Sequence, residues 1–140
     1  MRAVFILVLI ALSAIVWAIP IPQGLTVSYF DVGQGDAIFI QTKDGVEVLI
    51  DGGPDSSVLR GLGNRMPFWD RRIDAIVSTH PDKDHVGGLI DTLERYEVGA
   101  IVESGISHDT SFARSFDALA KAESAERFIG KRGMRLMFGK

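Results

Sequence analysis

The stretch Ile73-Asp74-Ala75-Ile76-Val77-Ser78-Thr79-His80-Pro81-Asp82-Lys83-Asp84-His85-Val86-Gly87-Gly88 decides how the rest of the chain reads. Residues 73–78 make a nearly continuous apolar run of strand length, the pattern of a strand covered on both faces. Directly after it, four of the six residues from His80 to His85 are imidazole or carboxylate. Val86, Leu89, Ile90 and Leu93 then recur at helical spacing, and residues 98–102 read as the next strand. Strand, loop, helix and strand in that order form a βαβ unit, whose function belongs in the loop at the carboxyl end of the first strand. Residues 80–85 are that loop.

His80, Asp82 and Asp84 alternate so that they point roughly one way in an extended loop, while His85 opens the helix. Imidazole and carboxylate together suit zinc, manganese or iron, and a divalent metal held by them lowers the pKa of its water enough to supply hydroxide at neutral pH. The competing explanation has His80 packing and Asp82 and Asp84 capping the helix, since carboxylates favour helix N-termini. Capping needs one such residue and leaves the others unexplained, so the cluster is read as metal-ligating.

Towards the N-terminus, residues 25–30, 37–41 and 46–50 are β-branched, aromatic and apolar runs, separated by Gly33-Gln34-Gly35 and Lys43-Asp44-Gly45. Three sequential antiparallel strands are expected. Asp51-Gly52-Gly53-Pro54 closes this meander, and Ser56 can cap a short helix running towards Gly63. Gly33 and Gly35 read as a hairpin turn, although two amides freed of side chains could approach a phosphate; Asp31 and Asp36 read as structural carboxylates. Asp51 is expected to hold the metal loop by hydrogen bonds rather than to touch metal. Towards the C-terminus, a helix capped by Asp109 or Thr110 places Phe112, Phe116, Leu119 and Ala120 on one face, and residues 135–138 read as another strand. His108, beside Asp109 and Thr110, is given a loop or capping role rather than ligation.

The 140 residues fit one α/β domain, and the formal net charge of −3 gives no overall reason for non-specific nucleic-acid binding. The only basic clusters are Lys131, Arg132 and Arg135, and Arg71 with Arg72; on a DNA substrate they would contact phosphates. Without cysteine, disulfides, thiolate zinc sites and a cysteine nucleophile are excluded. Residues 3–19 are apolar apart from Ser13 and follow a single charge, Arg2. As a helix they span about 25 Å against a hydrocarbon core of about 30 Å, between a membrane anchor and a signal-peptide core. Trp17 suits a membrane interface and makes a poor neighbour for a cleavage site after Ala18, which favours the anchor. The chain thus divides into an anchor or signal peptide at residues 1–19, a Pro/Gly linker at 20–24 and a domain at 25–140. The domain is expected on the extracytoplasmic side of a cell membrane as a single-pass protein, or secreted if the segment is cleaved.

The run from Thr79 to Gly88 resembles the signature loop of the metallo-β-lactamase superfamily, usually His-x-His-x-Asp-His. Asp82 replaces the second histidine, a variant similar to the hydrolase domain of the competence protein ComEC and its stand-alone relatives. Phe30-Asp31-Val32-Gly33-Gln34-Gly35-Asp36-Ala37 and Leu49-Ile50-Asp51-Gly52-Gly53 are similar to two further hallmarks of that subgroup. The resemblance implies an αββα sandwich, of which this chain carries the N-terminal half only. It implies a first metal on His80 and Asp82 and a second on Asp84 and His85, with Asp84 also orienting the bridging hydroxide as the catalytic residue. The cofactor is a divalent metal, zinc or manganese, with two ions in the complete domain; Asp82, a harder ligand, shifts preference from zinc and argues against β-lactam substrates. The implied function is a phosphodiesterase- or nuclease-like hydrolase related to DNA uptake, acting on DNA or a nucleotide. The alternative is a non-catalytic, membrane-anchored module that binds DNA or a channel partner. Because the second αβ half should supply a further Asp and His, the chain is expected to be a truncated product that holds two metals weakly.

Overall fold

The first three strands come from the apolar runs on either side of the Gly33-Gln34-Gly35 loop and of the tight Lys43-Asp44-Gly45 turn. In the computed structural model, which describes residues 4–6 and 24–138, they are β1 (Thr26–Tyr29), β2 (Ile38–Gln41) and β3 (Glu47–Ile50), joined as an antiparallel meander. The chain then makes three crossovers: α1 (Ser57–Arg65) leads to β4 (Arg72–Ser78), α2 (Lys83–Leu93) to β5 (Glu97–Glu103) and α3 (Ser111–Ala122) to β6 (Glu126–Ile129). Each crossover joins parallel neighbours, giving one six-stranded mixed sheet in the order β1-β2-β3-β4-β5-β6. The right-handed rule for such crossovers sends all three helices to one face.

The core confirms that placement. Phe39, Leu49, Ile76 and Ile101 pair across β2 to β5, are fully buried, and cluster with Val58 and Leu62 of α1, Val86 and Leu89 of α2, and Phe116 and Ala120 of α3. Each such side chain contributes about 1.5–3 kcal/mol by leaving water. Val48, Ala75 and Val102 are also buried but lie outside that cluster; on the same sheet face Val27, which pairs with Ile40 beside Val48, and Phe128, which pairs with Val102, are exposed. The described residues therefore form one helical layer on one sheet whose other face is also apolar.

Local signals explain most element ends. Thr110, and not Asp109, caps α3, its Oγ1 accepting from the Ala113 amide at 3.1 Å. Ser56 occupies the cap position of α1 without a side-chain bond; the Asp55 carboxylate accepts from the Ser57 amide instead, and the helix runs past Gly63 to Arg65. The strand expected at residues 135–138 does not form, and the sixth strand is Glu126–Ile129. Its Glu-Arg pair hides the alternation, and what holds it is tertiary: Arg127 bridges Glu103 of β5 and Asp117 of α3. Apart from a helical 4–6 and Gly24, the segment expected to be a membrane anchor or signal peptide (1–19) and the expected linker (20–24) lie outside the described residues, among which no helix is long and apolar enough to cross a membrane.

Candidate metal centre

β4 ends at Ser78 and α2 starts at Lys83, so His80, Pro81 and Asp82 bridge the carboxyl end of a central parallel strand and a helix N-terminus. Beside them β3 ends at Ile50, and the next residue, Asp51, is 2 % exposed and adopts φ 55°, a left-handed conformation that Asp tolerates better than most residues. That turn points the carboxylate into the loop. Its Oδ1 accepts from the Thr79 amide at 2.9 Å, and its Oδ2 accepts from the Thr79 hydroxyl at 2.5 Å and from His85 Nδ1 at 2.9 Å.

Those bonds determine which imidazole nitrogens carry protons. With its hydrogen committed to Asp51, the Thr79 oxygen can only accept from His80 Nδ1, 2.9 Å away. Both histidines therefore hold hydrogen on Nδ1, so that the neutral ring of each presents Nε2 as its lone-pair nitrogen, as metal-ligating imidazoles do. The two rings lie 3.7 Å apart between centroids. His80 Nε2 is 3.8 Å from Asp82 Oδ2, and His85 Nε2 is 3.9 Å from Asp84 Oδ2.

Backbone packing holds the arrangement in place. Gly88, inside α2, has no Cβ, and one built there would stand 2.1 Å from the Gly52 carbonyl oxygen. The bare backbone lets the first turns of α2 press on the 52–53 loop, with Gly52 N donating to His85 O and Gly88 N to Gly53 O. Gly35 has φ +76°, and a Cβ there would lie 1.7 Å from the Asp84 carbonyl oxygen. The Gly33-Gln34-Gly35 segment is thus a turn that also buttresses the metal loop, and Gln34 Nε2 donates to Asp84 Oδ2 at 3.4 Å. The Asp31 carboxylate accepts from Gly33 N within the turn, as a structural carboxylate does.

The structure sets His80 beside Asp82 and His85 beside Asp84, with the two imidazole rings adjacent. One ligand-capable atom each from Asp51, His80 and His85 lie within 4.8 Å of one another. Both Asp51 oxygens accept hydrogen bonds, whereas Asp82 and Asp84 each have one oxygen so engaged, Oδ1 by His108 and Oδ2 by Gln34. His108 sits in the β5–α3 loop and from there reaches the metal loop, with Nδ1 2.8 Å from Asp82 Oδ1. Sequence spacing carried no signal of this contact, nor of Gln34 on Asp84. A cleft of about 500 Å³ opens alongside, between Ser78 and Pro81 on one wall and His108, Arg114, Phe116 and Asp117 on the other. Below it, hydrogen bonds to Glu103 and then Asp117 raise the pKa of Arg127, while Lys121 and Arg127 hold Asp117 below the usual carboxylate range. Lys131 and Arg132 follow β6 at this same end of the sheet, whereas Arg71 precedes β4 and Arg72 opens it at the opposite end. The two basic clusters therefore lie at opposite ends of the sheet, and of the two only Lys131 and Arg132 share the end that carries the centre.

Two bare imidazole nitrogens and two carboxylates, backed by a buried carboxylate at the carboxyl end of a parallel strand, define a metal-binding α/β protein; the donor set fits a divalent cation. The sequence profile of the metallo-beta-lactamase superfamily matches residues 30–130, and the chain belongs to that superfamily. It is also similar to a metallo-beta-lactamase fold-containing protein of Sulfurisphaera tokodaii, 32% identical over 94 residues that cover 66% of this chain and 33% of the relative. The chain thus spans about a third of that relative's length.

Proposed function

We propose that this chain carries the metal-binding portion of a hydrolase that acts on phosphodiesters, of the kind that the ComEC-like motifs imply. The observation that carries the reading is the Asp51–Thr79 network, which leaves two Nε2 atoms bare beside two carboxylates. A buried carboxylate spent on fixing two imidazole tautomers has no use in a merely packed loop. His80, Asp82, Asp84 and His85 would hold the metal, and His85, 8 % exposed, is anchored most rigidly. A divalent ion, when bound, supplies Lewis acidity and activates water for hydrolysis. An equal share of oxygen and nitrogen donors suits manganese as well as zinc.

Support for a phosphodiester substrate comes from the ComEC-like pattern and from Lys131 and Arg132, which leave β6 at the metal end of the sheet. We further infer that residues 3–19 anchor the domain to a membrane. The chain enters β1 at the sheet end opposite the metal loop, where Phe68, 80 % exposed, and Trp69 also lie, so an anchor there turns the centre away from the bilayer.

The test measures Mn²⁺- and Zn²⁺-dependent hydrolysis of bis(p-nitrophenyl) phosphate and single-stranded DNA. It compares the protein in its longest available form with its His80→Ala and Asp84→Ala variants. Hydrolysis that a chelator abolishes and both substitutions reduce by at least 100-fold is expected. Hydrolysis that survives both substitutions refutes the proposal, and salt-sensitive DNA binding indifferent to a chelator supports a non-catalytic module instead.

A further inference from the structure

Asp82 occupies the N-cap position of α2, where an aspartate ordinarily accepts from the amides of the first helical turn. Its carboxylate makes no such bond. Oδ1 is instead 2.8 Å from His108 Nδ1, and Oδ2 is 3.8 Å from His80 Nε2. The two oxygens thus have different partners: one faces the imidazole that the metal reading assigns to the ion, and the other is tied to a histidine 26 residues further along the chain.

His108 comes from the loop between β5 and α3, which is shaped to deliver it. Gly105 turns the chain at φ +76°, beside Ile129 of β6, and Thr110 stops the loop by capping α3. Between these fixed points His108 reaches back over the carboxyl ends of β4 and β5 to the metal loop. A free carboxylate at position 82 would rotate about its side-chain bonds, and ordering it on metal binding would cost conformational entropy.

We propose that His108 is a positioning residue of the metal centre, holding Asp82 Oδ1 so that Oδ2 is presented beside His80 Nε2 to the cation. The position that carries a ligating histidine in the usual form of the signature loop is filled here by a carboxylate with an imidazole behind it. The inference rests on the metal reading of residues 80–85 and names a residue outside that set. It also ties the 104–110 loop, one wall of the cleft, to the ion, so that metal occupancy and the shape of the cleft are coupled.

The experiment is a competition titration of Co²⁺ and Mn²⁺ against a chromophoric chelator. It uses the full chain and its His108→Ala, His108→Asn, Asp82→Ala and Asp82→Ala/His108→Ala variants, with thermal unfolding of each metal-free protein as a folding control. Loss of a group that orients a ligand typically weakens metal binding 10–100-fold. His108→Ala should therefore bind at least about 10-fold more weakly than the parent, with unfolding temperature unchanged. Asn places an amide donor near the position of Nδ1, so His108→Asn should recover most of that loss, and adding His108→Ala to Asp82→Ala should cost nothing more. Equal affinity of His108→Ala and the parent overturns the positioning role alone, as does a loss that persists in the Asp82→Ala background. A parent chain that binds neither ion overturns the metal reading and this inference together.

Discussion

Replacing Asp51 by asparagine tests the network on which the metal centre is built. Asparagine tolerates the left-handed backbone at φ 55° about as well as aspartate, so the turn survives and the change is confined to one atom. An amide oxygen can still accept from the Thr79 amide. The NH₂ group then stands where Oδ2 accepted two hydrogens, from the Thr79 hydroxyl and from His85 Nδ1. Two donors now face a donor. The hydroxyl can rotate to accept, but His85 can relieve the conflict only by moving its hydrogen to Nε2, which removes the bare nitrogen that a metal needs. Losing a carboxylate behind a ligating histidine typically costs 10–100-fold in metal affinity, or about 1.4–2.7 kcal/mol. The metal-free protein loses a charge-assisted bond at a buried site, which lowers its stability by about 2 kcal/mol. For a domain of this size that is a fall in Tm of roughly 10 °C. Chelator competition with Zn²⁺ and thermal unfolding of the metal-free form measure the two effects separately. Affinity within threefold of the parent alongside reduced stability would falsify the tautomer argument, because Asp51 would then support only the fold. A loss far beyond 100-fold would make Asp51 a ligand itself.

Three other perturbations probe the scaffold. Burial, and then the charges of Asp70 and Asp74, push Glu47 up to about 7 against the lowering effect of its bond from Gln41. The folded state therefore binds the extra proton between about pH 4.5 and 7, and the parent should lose stability as pH rises through that window; Glu47→Gln should remove the dependence and be about 2 kcal/mol more stable than the parent at pH 8, read by denaturant unfolding at pH 5 and 8. Gly35→Ala drives a Cβ into the Asp84 carbonyl at a positive φ, so about 2–4 kcal/mol of stability should disappear together with metal binding, as thermal unfolding and chelator competition will show. Leu89→Ala empties a fully buried position between α2 and the sheet and should cost about 3 kcal/mol in urea unfolding, with an unchanged m-value.

What the sequence determined by itself was everything carried by short-range pattern. β-branched and apolar runs between glycine-containing turns gave the meander, and the apolar run at residues 73–78 followed by helical spacing gave the βαβ unit around the metal loop. Four ligand-type residues within six positions located the centre, because strand-to-helix geometry fixes where such a loop must lie. Thr110 announced α3 through the chemistry of its own hydroxyl. Tertiary structure decided what depends on partners far along the chain. β6 forms because it pairs in parallel with β5 and Arg127 finds Glu103 and Asp117, while residues 135–138 pair with no neighbouring strand among the described residues. The proton positions on His80 and His85 follow from Asp51, 34 residues before His85, and the orientation of Asp82 follows from His108. Spacing within a loop can gather donor atoms, but only the packing of separate elements determines which atom of each is left free to bind.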